Sequence, residues 1–142
     1  MKSVYILITL AGIVAIVLPK PQETTKTTKI IRMKVTAYCA CTKCCGADAI
    51  GKTSTGKDAY HIRGIAAAPK LLPYKTRLNI PGVGILPVDD TGGAMRQDAK
   101  KGIYHIDVRF CPKDDNDEKA LEKAHQEARK FGVKWLNVEV LD

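Results

Sequence analysis

Two aspartates and a knot of thiols are the parts of this sequence best suited to do chemistry. Asp90-Thr91-Gly92-Gly93 follows the apolar run Ile85-Leu86-Pro87-Val88. An Asp-Thr-Gly loop can bring its carboxylate against that of a second such loop, where the two share one proton because like charges about 3 Å apart cannot both ionise. This chain has a single Asp-Thr-Gly, so that arrangement requires two copies; a Gly-rich turn in which Asp90 bonds its own backbone is the plainer reading. Asp107 lies in Gly102 to Phe110, which alternates as a strand does. Alternation puts His105, Asp107 and Arg109 on one face and Tyr104, Ile106, Val108 and Phe110 on the other. The polar face is either solvated or lines a cleft in which Asp107 acts as a general acid.

Cys39, Cys41, Cys44 and Cys45 crowd into seven residues, with Cys111 far away. Zinc is one reading, since Cys-x-x-Cys brings two sulfurs onto one ion. Disulfides are another: Cys39 and Cys41 would pair with Cys44 and Cys45 in one of two ways, or Cys111 would replace one of them. A nucleophilic Cys lacks a nearby His in the sequence, so a structural role is favoured over catalysis. His61 and His125 receive no role. The acidic run from Asp114 to Glu118 lacks the Gly and spaced Glu of a calcium loop and reads as a helix cap.

These side chains need a scaffold of short elements. Strands are expected at 30–38, 62–68, 77–80, 84–88, 102–110 and 133–141, with 48–60 and 95–101 as polar loops. One helix follows the acidic run, with Leu121, Ala124, Ala128 and Phe131 on its apolar face and Gly132 at its end. Five to six short strands with one late helix describe a small β-barrel with a helix appended, not a βαβ repeat.

At 142 residues the chain holds one full domain. Aromatic residues are only 6%, which argues against a base-stacking nucleic-acid binder. The net charge of +8 serves solubility or attraction to an anionic polymer or membrane surface. Ser3 to Leu18 carries no charge; it is slightly shorter than the ~17–25 residues of a bilayer span. Residues 1–19 are therefore a signal peptide or signal anchor, expected as an apolar helix, with 20–29 a polar linker and 30–142 the domain. The lysines after the apolar run outnumber those before it, which by itself would leave the domain in the cytoplasm.

Taken together, Thr36-Ala37-Tyr38-Cys39-Ala40-Cys41, Cys44-Cys45-Gly46, Pro69 to Thr76, Asp90-Thr91-Gly92-Gly93-Ala94-Met95 and His105-Ile106-Asp107-Val108 resemble the three-aspartate (3D) domain family. That family is similar to the catalytic domain of membrane-bound lytic transglycosylase A and to muralytic cell-wall proteins. The resemblance spans about Lys34 to Leu141. It implies a mainly β fold, a small double-psi β-barrel with one C-terminal helix, and a bacterial cell-envelope location, overriding the lysine count. It implies cleavage of peptidoglycan glycan strands, expected to leave an anhydro-muramoyl product. A monomer with no cofactor and no metal in its catalytic site is expected, anchored to the membrane through its N-terminal segment.

The family's aspartates map onto Asp90 and Asp107, the expected catalytic pair, with Asp107 as acid/base. Tyr38, Gly92 and Gly93 are expected to bind substrate. The third aspartate's position, before the Pro of Pro-x-x-x-Pro, is Ala68 here, and the stretch from Arg96 to Tyr104 exceeds the family spacing. An extracellular domain implies two disulfides among Cys39, Cys41, Cys44 and Cys45. A non-catalytic glycan-binding barrel is the alternative function, and a dimeric aspartic-protease-like enzyme the third.

Overall fold

The computed structural model describes residues 7–8, 14–15, 28–47 and 49–141. The expected N-terminal helix and most of the linker lie outside them, apart from the two-residue strands β1 (Leu7–Ile8) and β2 (Val14–Ala15), paired antiparallel. No helix among the described residues is long and apolar enough to cross a membrane.

The domain is a closed six-stranded barrel with a C-terminal helix, as the strand pattern predicts. Its strands are β3 (Lys29–Cys39), β4 (Ile65–Ala67), β5 (Arg77–Ile80), β6 (Gly84–Asp90), β7 (His105–Phe110) and β8 (Lys134–Leu141). Around the wall they run β3-β7-β4-β6-β5-β8. Two neighbouring pairs, β3 with β7 and β4 with β6, are parallel, and the other four are antiparallel. Closure leaves no unpaired sheet edge, which lets strands as short as three residues persist. Alternation turns Met33, Val35, Ile65, Leu78, Ile106 and Val108 inward, all essentially inaccessible to solvent.

Helix α3 (Glu118–Phe131) packs on β3 and β7. Asp117 caps it, its carboxylate accepting from the Lys119 N–H at 2.9 Å, and Gly132 ends it at φ 68°. Ala124 and Ala128 are buried on the predicted face.

Two elements differ from the sequence expectation. A single turn, α1 (Thr42–Cys45), follows β3, and α2 (Gly93–Lys100) occupies most of the expected loop at 95–101. The α2 sequence is mostly polar, so its periodicity is weak; what holds it is Met95, buried against Ala66 and Ala68, with Ala99 beside them. Residues 96–100 are thus part of a helix laid on the outer wall.

Candidate active site

A register slip builds the site. In the parallel pairing of β4 with β6, Ile65 faces Val88 but Ala66 faces Asp90, so Asp89 is an extra residue in β6. Leu86 and Val88 point into the core, and regular alternation would send Asp90 after them. The bulge instead places Asp90 beside outward-facing Ala66. Ala66 also pairs with Asp107 on its other side. The two aspartates therefore flank one alanine on the outer wall, with Cα atoms two strand spacings, about 10 Å, apart. The structure brings both predicted carboxylates to one face.

Each carboxylate is held by a residue of β3. The Thr36 hydroxyl donates to Asp107 Oδ1 at 2.7 Å, and the Tyr38 hydroxyl donates to Asp90 Oδ2 at 2.8 Å. Asp90 Oδ1 accepts from the N–H groups of Thr91 and Ser54 at 2.8 and 2.9 Å. Thr36 Oγ1 also lies 3.0 Å from His105 Nε2. His105 Nδ1 stands 2.8 Å from Asp98 Oδ2, without the alignment of a hydrogen bond, and the same oxygen accepts from Lys34 at 3.0 Å.

Burial pushes the Asp107 carboxyl above its ordinary value, and the Asp90 charge adds to this, while the Thr36 hydrogen bond and Lys34 oppose it. Burial and then Lys34 push His105 downward, so the imidazole is neutral near pH 7, with Asp98 opposing. Burial raises the Tyr38 phenol far above its usual range, which keeps it a donor to Asp90.

Beneath these groups runs a buried ion pair that sequence reading missed. Arg109 Nη2 donates to both oxygens of Asp89, at 3.0 and 2.8 Å, and both side chains are essentially inaccessible. Arg109 Nε donates to the Ile62 carbonyl at 2.9 Å and Nη1 to the Tyr38 hydroxyl at 3.0 Å. Gly64 makes room for the pair: a Cβ there would stand 2.3 Å from Asp89 Oδ1 and 2.4 Å from Arg109 Nη2. The signal in the sequence is the doubled Asp89-Asp90, of which only one can follow the bulge outward.

The other predicted residues fall as follows. Tyr38 lies in the site, but its hydroxyl is engaged by Asp90 and Arg109, so it positions a carboxylate rather than offering a free contact. Gly92 is the N-cap residue of α2 and Gly93 its first residue, next in the chain to the Asp90-Thr91 corner; no side chain caps that helix start. Ala68, where the resemblance would put a third aspartate, is buried with Ala66 and Met95 in an apolar patch. A small cavity of about 40 Å³ adjoins Asp90, lined by Tyr38, Cys45, Ile50 and Lys52 among others.

In this structure the sulfurs of all five cysteines are unbonded. Cys39 Sγ and Cys44 Sγ are 3.6 Å apart, far beyond the ~2.05 Å of a disulfide. Cys45 turns away, its Sγ 3.3 Å from the Cys39 carbonyl oxygen, and burial pushes its thiol up to about 11. Cys111 lies apart, 3.8 Å from the Ala59 carbonyl. His125, given no role from sequence, comes from α3 to meet Cys39, Cys41 and Cys44. A wider groove of about 440 Å³, lined by Cys41, Lys43, Tyr60, Leu121, Glu122 and His125, adjoins that cluster rather than the aspartates.

Compared with known proteins, the sequence matches no family model and no curated protein.

Proposed function

We propose that this barrel is a peptidoglycan lytic transglycosylase in which Asp107 is the single acid/base. The observation that carries this reading is the state of Asp107: a half-buried carboxyl on the outer wall, hydrogen-bonded by Thr36, pushed upward by burial and by Asp90. The parallel pairs β3–β7 and β4–β6 within one closed barrel support the double-psi arrangement of the 3D-type domain. The net charge of +8 suits the anionic wall, and the apolar N-terminal run would tether the domain in the envelope.

An ordinary glycosidase needs two carboxyl groups at a set separation because one of them must attack or must activate water. A transglycosylase needs neither. Protonated Asp107 gives its proton to the glycosidic oxygen as that bond breaks. The resulting carboxylate then takes the proton of the muramoyl C6 hydroxyl, whose oxygen closes the 1,6-anhydro ring. No water is consumed, and Asp107 ends protonated as it began. Asp90 keeps a negative charge beside the oxocarbenium-like centre, and its three hydrogen bonds hold it there. Ala68 takes no part in these steps, so its loss of a carboxyl leaves them intact.

The pH dependence follows from the Asp107 shift. The acid form starts the reaction, so kcat/KM should fall on the alkaline side as pH rises through a pKa above the ordinary carboxylate value of about 4. The Thr36 hydrogen bond lowers that pKa, so Thr36→Val should move the alkaline limb to higher pH. Stability has the matching sign. A carboxyl whose folded pKa is raised stabilises the fold fully below its unfolded pKa, and that contribution is lost as pH rises through the folded value. Asp107→Asn should therefore gain in stability over wild type across that window, read by urea unfolding at successive pH values.

A glycan-binding barrel without activity is the second reading, favoured by the apolar patch at Ala68. Sacculus sedimentation together with assay of released fragments separates the two. Binding that survives Asp90→Asn and Asp107→Asn, with no fragments released even by wild type, would decide for the binder.

A further inference from the structure

We propose that Cys39, Cys41, Cys44 and His125 form a structural zinc site that clamps the end of β3 and the turn α1 to helix α3. The four ligand atoms lie within 4.8 Å of one another. His125 Nδ1 is 3.9, 3.5 and 3.3 Å from the sulfurs of Cys39, Cys41 and Cys44, and the Cys39 and Cys44 sulfurs are 3.6 Å apart. With Zn–S near 2.3 Å and Zn–N near 2.05 Å, a tetrahedral ion has S···S edges of about 3.8 Å and S···N edges of about 3.6 Å. The three S···N distances bracket their value, and the Cys39–Cys44 distance falls about 0.2 Å short of the S···S edge. A disulfide would use two of these sulfurs, would need them more than an ångström closer, and would leave Cys41 and His125 converging on nothing.

The supporting architecture is that of a closed site. Cys39 ends β3, Cys41 caps the start of the turn α1 and Cys44 lies within it, where the Cys44 and Cys45 N–H groups both bond the Cys41 carbonyl, at 3.1 and 2.9 Å. His125 arrives from 81 or more residues along the chain, on the helix that packs against β3. An ion pair between Lys43 and Glu122 bridges the same two elements. Four protein ligands leave no open position for a water or substrate, so the ion is structural rather than catalytic. On binding, zinc displaces the protons of the three thiols, leaving three thiolates and a neutral imidazole. The clamp also sets the wall of the candidate active site, since Cys45, the last residue of α1, lines the small cavity beside Asp90. The proposal stands on the cluster's geometry and does not depend on the glycan-cleaving reading.

The test uses the full chain, purified without chelator from zinc-supplemented cells, with metal content measured per chain. About one zinc per chain is expected. Replacement by cobalt(II) should give thiolate-to-cobalt charge transfer and the intense d–d bands of a tetrahedral site. His125→Ala and Cys44→Ser should each weaken zinc binding by more than about a hundredfold, the upper range for merely outer-shell changes. Cys45→Ser and Cys111→Ser should leave it unchanged. After denaturation in chelator, without reductant, all five cysteines should react with a thiol reagent. Where a ligand variant fails to fold, the cobalt spectrum of wild type still decides. A folded protein that takes up neither metal, one reactive thiol beside two disulfides, or undiminished zinc affinity in folded His125→Ala would each overturn the proposal.

Discussion

Asp107→Asn is expected to lower the release of glycan fragments from sacculi by about a thousandfold, within the range attributed to a positioned general acid. The side chain keeps its shape and its hydrogen bond from Thr36, so the barrel should stay folded. What disappears is a proton donor whose ordinary value is displaced toward neutrality by burial and a neighbouring charge. Asp90→Asn should act differently. It removes the charge that helps to raise Asp107, so the alkaline limb should move to lower pH as the rate falls. A pH–rate profile for each variant separates the two roles: one nearly abolishes the rate at every pH, the other displaces the curve. Equal loss without displacement in Asp90→Asn would remove the electrostatic role assigned to it.

The largest loss of stability is expected from Arg109→Leu, about 3–5 kcal/mol in urea unfolding, the usual cost of leaving a buried charge without its partner. Asp89 would keep only Lys57, 3.6 Å away, and the Ile62 carbonyl and Tyr38 hydroxyl would each lose a donor. For a domain of ordinary stability that loss is a large fraction of the total. The double variant Arg109→Leu with Asp89→Val should recover part of it, because an apolar pair need not be solvated. Activity should not recover with it. Arg109 also fixes Tyr38, and Tyr38 fixes Asp90, so the carboxylate would be left less well held in a folded protein. A single variant as stable as wild type would show that the pair is not the keystone described.

Much of this was legible in the chain. Alternation in Gly102 to Phe110 was enough to put Asp107 and Arg109 opposite the core residues Ile106 and Val108. The α3 boundary followed from Asp117 and Gly132, whose backbone roles are local. Three features were hidden because they depend on distant partners. Helix α2 has little periodicity of its own and rests on Met95 meeting Ala66 and Ala68. The outward turn of Asp90 comes from a register slip against β4, which the doubled Asp89-Asp90 signals only once its partner strand is known. His125 looked like an ordinary helix residue until α3 docked beside Cys39, Cys41 and Cys44. If those thiols hold zinc, they also cease to argue for an oxidising compartment, and placement rests on the apolar N-terminal run and the lysines that follow it.

The central claim is that one carboxyl breaks the glycan strand without consuming water. Purified sacculi digested by the full chain in heavy-oxygen water test it most directly, with the released fragments read by mass spectrometry. The account predicts 1,6-anhydro-muramoyl ends that carry no solvent oxygen and that vanish with Asp107→Asn. Reducing ends labelled with heavy oxygen would contradict it and make the protein a hydrolase, for which the Asp90–Asp107 pair would need a different division of labour.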